Sequence, residues 1–449
     1  MNEEEKERKI PPELPDFENM TTEELASWDK LGFIDIAGGI VKDIERFQPP
    51  LIYGVYGNWG SGKTSLLQIV RRLLQKGNYE TVWFNPWIYE HAEKDMLFLG
   101  LLRAIQHQLY PKSHKWRKFF AGLFAIFRIG VNALLSRVGA STDKIGEYYH
   151  QFYKGLSKRQ SDVIDVVLES RNRLCKAIEE GLKKKSPKAQ KKLVIFIDDL
   201  DRCLPDSAIL LLDQLKNYLT FPGAPVITVI GVDEDVFATM LDKRYDYSVE
   251  QKDKTNFGRK YLEKIIQKPY RLKPKLLRDL MKITSSYSGW FNNYDDIIFI
   301  TNYWFGKIEV FTPREIDRAM RATISLVNSD QKPGRNLANF FKDLKIGSQD
   351  ILEWQSFVAN VKTVLEGIRN KRTTESVSEA SPQEVSQGYA EIIALTVCVW
   401  ILVILRSKYP DPLNIYNSQV KPYSVDNKPI KLPPSSVING IYWLFEGWL

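Results

Sequence analysis

Residues 51–74 read LIYGVYGNWGSGKTSLLQIVRRLL and place a phosphate-binding motif between a strand and a helix. The apolar run at 51–56 is typical of a buried strand, and leucine and valine recur at helical spacing after residue 64. Between them, GNWGSGKT at 57–64 matches the pattern G-x-x-x-x-G-K-[ST] in full. Because the motif and its flanking elements agree, a phosphate-binding loop is favoured over a chance glycine-rich turn.

The residue types in this loop suit a polyphosphate. Its glycines let the backbone turn N–H groups toward a phosphate, and a helix starting at Lys63 adds the positive end of its dipole. Lys63 can reach the β- and γ-phosphates, and the Thr64 hydroxyl can bind Mg²⁺. We therefore predict a nucleoside triphosphate with Mg²⁺. The predicted nucleotide-binding residues of the loop are Gly57, Asn58, Trp59, Gly60, Ser61, Gly62, Lys63, Thr64 and Ser65.

A second apolar strand, LVIFI at 193–197, ends in two aspartates. Asp198 at the strand tip is predicted to hold the Mg²⁺ shell. Asp199 lies where many related ATPases place a water-polarising glutamate, and its shorter side chain leaves Asp201 as a second candidate. Asp233 ends the next apolar strand, where it can contact the γ-phosphate or the attacking water, or cap the following helix. Both interpretations of Asp233 stay open.

Composition limits the class of protein. With 449 residues, 44% of them hydrophobic, the chain can form two or three packed units. A net charge of +8 suits either an anionic partner or basic solvated faces. The three cysteines are widely separated, which indicates a reducing compartment and no disulfide framework. The four histidines lack metal-binding spacing, and the charged, polar N-terminus shows no signal peptide.

Strands that alternate with helices up to about residue 270 predict an α/β fold, a parallel sheet with helices on both faces. Beyond it the pattern becomes helical. The predicted organisation is a flexible N-terminal arm at 1–22, a core at 23–275 with a helical insertion at about 112–160, a helical lid at 276–416 and a tail at 417–449. The serine-, threonine- and glutamate-rich stretch at about 371–388 is predicted to be a polar linker inside the lid.

Two apolar stretches raise the question of a membrane. Residues 112–138 begin with basic residues and continue as an apolar run that Arg128 interrupts. A central arginine costs about 2.5–3.5 kcal/mol on insertion scales, so a packed or interfacial helix that can contact a membrane is favoured over a span. The apolar run at 392–405 would be about 21 Å long as a helix, too short for a bilayer core.

Together these motifs resemble the KAP family of P-loop NTPases, a branch of the AAA-like ATPases. The matching stretches are GVYGNWGSGKTSLL, VWFNPWIYE, LVIFIDDLDRC, VITVIGVDEDVF, YLEKIIQKPYRL and TPREIDRAM, within about 31–416. The resemblance implies an ATP-binding domain with a helical lid. It also implies that Arg314 is the lid arginine and that Arg259 is a finger acting on a neighbouring subunit's nucleotide.

The chain departs from the family at one place. Many members carry transmembrane helices between the NPW strand and the DDLDRC strand, whereas here that region holds one arginine-broken apolar segment. A soluble, cytoplasmic variant, peripheral at most to the inner membrane face, is therefore expected. Bacterial relatives often sit in phage-defence gene clusters, so the resemblance implies a role in anti-phage defence.

Three functions remain open at this point. The first is an ATPase that acts as a switch or motor, with turnover that is slow or depends on a partner. The second is a nucleotide-gated scaffold that holds ATP without hydrolysing it, and the third is a membrane-associated organiser that uses 112–138. Expected partners are further copies of the chain and other proteins of a defence system. A nucleic-acid enzyme has little support because no separate catalytic constellation appears.

Overall fold

A computed structural model describes residues 15–89, 96–111, 163–185, 191–245, 257–290, 294, 298 and 311–328. The chain divides into a compact unit at 16–273 and a second one that includes the residues from 274 onward. Predictions for the insertion at 112–160, the linker at 371–388, the stretch at 392–405 and the tail at 417–449 lie outside the described residues.

The first unit is built on a five-stranded sheet in which every neighbouring pair is parallel. Its strands are β1 (Leu51–Tyr56), β2 (Tyr79–Phe84), β3 (Lys192–Ile197), β4 (Val226–Val232) and β5 (Lys268–Arg271). The order across the sheet is β2-β3-β4-β1-β5. This confirms the predicted α/β class, and it places β4 between the strand before the phosphate loop and the strand that ends in aspartates.

Helices follow most of the strands. The helices of the first unit are α1 (Thr22–Trp28), α2 (Phe33–Arg46), α3 (Lys63–Gln75), α4 (Met96–Leu109), α5 (Val163–Lys185), α6 (Pro205–Leu219), α7 (Glu234–Tyr245) and α8 (Phe257–Ile265). Two short 3₁₀ turns, Pro86–Tyr89 and Leu200–Arg202, follow β2 and β3. The second unit contains α9 (Leu277–Leu280), a 3₁₀ segment (Met281–Trp290) and α10 (Pro313–Asn328).

Both faces of the sheet are covered. Along β3, Leu193, Ile195 and Ile197 join a buried cluster with side chains of α4, α5 and α6. The opposite face packs on α3. This is seen at Gly231 of β4, where a Cβ atom would lie only 2.6 Å from a methyl carbon of Leu67. Such double coverage explains why β1, β3 and β4 read as largely apolar runs.

The segment before α1 is packed, although residues 1–22 were predicted to form a flexible arm. Within its described part, Phe17 is 1% exposed, and its ring contacts Trp28 edge-on at 4.6 Å between centroids. The buried guanidinium of Arg72 in α3 donates to the carbonyl oxygens of Phe17 and Met20. The arm prediction failed for these residues because a partner for their carbonyl groups comes from a distant helix.

The lysine-rich stretch at 183–192 begins inside a helix and ends in a strand. Helix α5 continues through Lys185, and β3 already begins at Lys192. Lysine is a good helix former, and its charge suits the last turn of a helix. Lys185 also donates to Glu80 at 3.0 Å, which holds this end of the helix near β2.

Within the part of the chain that the structure describes, no helix combines the length and apolar character needed to cross a membrane.

Candidate nucleotide-binding site

The phosphate-binding loop lies at the carboxyl edge of the sheet, between β1 and α3. The Gly57 N–H donates to the carbonyl oxygen of Val232 at the end of β4, at 3.3 Å. On the other side, Leu272 donates its N–H to Tyr56 at 2.8 Å. Both neighbouring strands therefore fix the point where the chain leaves β1 and enters the loop.

The loop needs glycine at position 62. Gly62 has a φ of 94°, in the left-handed region, and directly precedes α3. A Cβ atom there would lie 2.6 Å from the ring of Phe33 in α2. The backbone can therefore turn into α3 directly beneath an aromatic ring, and the first N–H groups of α3 have no acceptor within the helix.

Lys63 is held within its own loop. Its Nζ donates to the carbonyl oxygens of Gly57 at 2.6 Å and Asn58 at 3.2 Å, and the residue is 8% exposed. Burial lowers the pKa of its ammonium, and the carboxylates of Asp201 and Asp233 oppose that change. A buried lysine surrounded by carboxylates is a cation positioned at the centre of the loop.

Thr64 and Asp198 are the two residues of the predicted metal site. The Thr64 hydroxyl donates to Asp198 Oδ2 at 2.7 Å. Asp198 is 2% exposed, and burial together with the nearby Asp199 carboxylate raises its pKa to about 6. Glycine at 231 leaves room for this side chain, since a Cβ there would lie 3.2 Å from Asp198 Oδ1.

These residues fit a magnesium ion. In the described part of the chain, Asp198 Oδ1 is buried and has no hydrogen-bond partner. An acceptor left unpaired in this way costs free energy unless something binds it. A hydroxyl and a carboxylate are the hard oxygen ligands that Mg²⁺ prefers, usually alongside the phosphates of a substrate. The Ser61 hydroxyl in the same loop is likewise buried and, among the described residues, without a partner.

Asp199 is engaged by two side chains. Its Oδ2 accepts from Asn85 Nδ2 at 3.0 Å, and its Oδ1 pairs with Arg202 Nε at 2.8 Å. The Arg202 guanidinium also lies over the ring of Trp87, 5.4 Å from its centroid. Asp199 has a φ of 59°, uncommon for a residue other than glycine. Its carboxylate is thus directed to two polar side chains, and its action on water stays a prediction.

Asp201 lies in the 3₁₀ turn after β3 and is 2% exposed. One of its oxygens, Oδ2, accepts from the indole Nε1 of Trp59 and from the backbone N–H of Asp233, each at 2.9 Å. The carboxylate predicted as an alternative water-polarising acid therefore connects the phosphate loop to the end of β4.

Asp233 caps the helix that follows it, which was one of the two open interpretations. Its Oδ1 accepts from the N–H groups of Asp235 at 3.2 Å and Val236 at 3.4 Å, in the first turn of α7. Its carbonyl oxygen accepts from Phe237 at 3.0 Å, which closes that turn. A contact of Asp233 with the nucleotide remains a prediction.

The two predicted arginines lie in different units. Arg259 is in the first turn of α8, half-exposed, and pairs with Asp235. The start of α8 packs directly against the backbone of α7, since a Cβ atom at Gly258 would lie 2.1 Å from the carbonyl oxygen of Ala238. Arg314 is near the start of α10 in the second unit, so its action at the loop stays a prediction.

Sequence reasoning did not identify Asn85, Arg202 or Gly231 as site residues. Asn85 and Arg202 both lie in stretches that carry the family resemblance, VWFNPWIYE and LVIFIDDLDRC, and this was the available signal. Gly231 lies in another of these stretches, VITVIGVDEDVF, but its role follows only from what packs against it.

Comparison with known proteins gives a family and a relative. The sequence pattern of a family described as KAP family P-loop domain matches residues 33–329. The phage T7 exclusion protein of Escherichia coli (strain K12) is 24% identical over 370 residues, which cover 75% of this chain and 47% of that protein. The chain thus spans about half the length of this relative. A solved structure, Cdc6p from Pyrobaculum aerophilum, is similar at a TM-score of 0.40 and 11% identity, over 98% of both chains.

The matched residues amount to well over half of the chain. They include the loop at 57–64, the aspartates after β3 and the capped start of α7. The chain belongs to the KAP family of P-loop NTPases.

Proposed function

We propose that this chain binds ATP with Mg²⁺ at 57–65 and hydrolyses it, as a molecular switch or motor in bacterial anti-phage defence. The observation that carries the proposal is the hydrogen-bonded pair of Thr64 and the buried Asp198, whose second carboxylate oxygen has no partner among the described residues. Such a pair is suited to hold the metal ion when a metal–triphosphate complex binds at the loop.

Each residue of the loop has a task in this proposal. Lys63 exchanges its two carbonyl acceptors for phosphate oxygens, which are charged and therefore stronger partners. The N–H groups of the first turn of α3 bind phosphate oxygens at the positive end of the helix dipole. Thr64 and Asp198 would hold Mg²⁺, and the ion would neutralise charge on the phosphates.

The experiment measures ATP binding by calorimetry and phosphate release in the same preparations. Lys63→Ala should weaken ATP binding by a factor of ten or more, on the order of the loss of a buried charge-assisted contact. Lys76→Ala is the matched control, since Lys76 is an exposed lysine that follows the same helix. Equal ATP affinity in the wild type and Lys63→Ala would contradict the placement of the nucleotide.

A second candidate is a nucleotide-gated scaffold without hydrolysis. It is favoured by Asp199, because Asn85 and Arg202 occupy both of its carboxylate oxygens. In that case ATP binds with the predicted dependence on Lys63, but phosphate release stays at the background rate. Adding cell extract from a phage-infected culture would separate a silent scaffold from an enzyme that waits for a partner.

The defence role rests on the relative named as a phage T7 exclusion protein. We propose that further copies of the chain and other proteins of a defence system are its partners, and that it acts in the cytoplasm. Plating efficiency of phage on cells that express the wild type or Lys63→Ala tests the role. Equal plating on both strains would contradict a nucleotide-dependent defence function.

The membrane-associated organiser remains a further proposal, through residues 112–138. Flotation with anionic liposomes, compared with neutral ones, tests whether the purified chain binds a membrane surface.

A further inference from the structure

One buried carboxylate connects three separate segments beside the phosphate loop. Asp201 Oδ2 accepts from Trp59 in the loop and from the backbone N–H of Asp233 where β4 ends, each at 2.9 Å. Asp201 itself belongs to the turn after β3. Because β4 lies between β1 and β3 in the sheet, this carboxylate reaches across one strand to the loop after β1.

The turn after β3 fixes the direction of this side chain. The carbonyl oxygen of Asp199 accepts from Arg202 at 3.2 Å, and that of Leu200 accepts from Cys203 at 3.3 Å. Leu200 is fully buried against the core, which holds the turn on the protein. Asp201 is therefore placed by a closed backbone turn, and not by a chance rotamer of an exposed residue.

Among the described residues, burial holds Trp59 only in part. Its residue surface is 55% exposed, although tryptophan is usually well buried in folded proteins. A ring so exposed gains little free energy from burial, so the hydrogen bond from its indole N–H to a buried carboxylate contributes much of its orientation. Trp59 lies two residues after Gly57, so its orientation constrains the backbone that faces the phosphates.

The hydrogen bonding of Asp201 favours a positioning role over a chemical one. An oxygen that already accepts two N–H groups has both of its lone-pair sites occupied. A general base needs a free lone pair aimed at the water whose proton it takes. Both donors to Oδ2 belong to the protein scaffold, so this oxygen positions the loop, and a general base at Asp201 would have to act through its other oxygen, Oδ1.

We propose that Asp201 is a positioning residue that holds the phosphate-binding loop, through Trp59, against the start of α7. A loop that is already ordered loses less conformational entropy when the triphosphate binds, so ATP affinity rises. The functional consequence rests on the proposed ATP binding, whereas the ordering of the loop does not.

The test compares loop order and ATP affinity in five variants. Hydrogen–deuterium exchange of the peptide covering 57–64, measured without nucleotide, reports loop order. Trp59→Phe keeps an aromatic ring but removes the N–H donor, and Asp201→Ala removes the acceptor. Both should exchange faster in this peptide and bind ATP about tenfold more weakly, as expected for loss of a hydrogen bond to a charged group.

Two further variants serve as controls. Asp201→Asn keeps an oxygen that can accept both N–H groups, so it should bind ATP more tightly than Asp201→Ala and exchange more slowly in the loop peptide. Trp87→Phe changes another half-exposed tryptophan, whose ring faces Arg202, and it should match the wild type in loop exchange. The double variant Trp59→Phe with Asp201→Ala should be no weaker for ATP than Asp201→Ala alone, because the same bond is removed twice.

The outcomes separate this inference from the proposed function. Wild-type exchange and affinity in Trp59→Phe would overturn the positioning role. Loss of turnover in Asp201→Asn, with loop exchange and ATP affinity unchanged, would assign Asp201 to the chemistry and overturn it too. A wild type that binds no ATP would instead contradict the proposed function, while loop exchange in the variants still decides the inference.

Discussion

Asp198 should make the nucleotide-free protein more stable in mild acid than at neutral pH. The residue is 2% exposed, and burial, with Asp199 beside it, raises its pKa from the ordinary 3.8 to about 6. The folded protein therefore binds the proton more tightly than the unfolded chain does. The contribution of this proton to the free energy of unfolding is fully present below about pH 4 and is lost as the pH rises through about 6.

The magnitude follows from the two pKa values. A pKa difference of one corresponds to about 1.4 kcal/mol, so a change from 3.8 to about 6 corresponds to about 3 kcal/mol. This is a sizeable part of the ~5–15 kcal/mol by which folded proteins are stable. Solvent screening reduces it little, because the carboxyl is almost fully buried.

The assay is urea unfolding at a series of pH values, in EDTA and without nucleotide. Asp198→Asn has nearly the same shape but cannot titrate, so the difference between the two proteins isolates this carboxyl from the other acidic groups. The wild type should lose about 3 kcal/mol relative to Asp198→Asn between about pH 4 and about pH 7. Parallel pH profiles for the two proteins would refute the reasoning.

Three other predictions concern the loop and its neighbours. Gly62→Ala should lower the free energy of unfolding by about 2–5 kcal/mol, from a left-handed backbone and a clash with Phe33, and a wild-type melting temperature would contradict this. Asp199→Asn should keep ATP affinity and fold stability, since asparagine tolerates a positive φ, but reduce turnover at least about tenfold. Full turnover in this variant would exclude Asp199 from the chemistry. Mixing Arg259→Ala with Lys63→Ala protein should restore part of the turnover, because one interface then keeps an intact loop and an intact arginine. If the mixture is no more active than its separate parts while both variants assemble, Arg259 does not act across an interface.

The local elements of the core were predictable from the chain alone. The loop at 57–64 and the strand that precedes Asp198 are recognisable from their residue types, because few other structures require these types in that order. The largely apolar run at 226–232 has the same bounds as β4, because a strand buried on both faces consists mainly of apolar residues. Spacing along the chain carries this information, since these elements depend on near neighbours.

The roles of the acidic residues were less predictable. Asp199, Asp201 and Asp233 were all candidates for a contact with nucleotide or water. In the structure, Asp199 accepts from Asn85 and Arg202. Asp201 accepts from Trp59 and a backbone N–H, and Asp233 accepts from the first turn of α7. A carboxylate accepts from whatever donor lies within about 3 Å, and the donors on Asn85, Trp59 and Asp233 are far from their acceptors along the chain.

The sequence by itself determined that a loop of the phosphate-binding pattern joins a strand to a helix and that two aspartates follow a second strand, because both features depend on residue types at short spacing. Only the tertiary structure decided which strand lies between them and which donors reach each carboxylate. The order β2-β3-β4-β1-β5 sets those distances, since it places the end of β4 between the loop after β1 and the turn after β3. Asp201 can touch Trp59 for that reason, and pairing between strands far apart in the chain leaves little trace in local residue patterns.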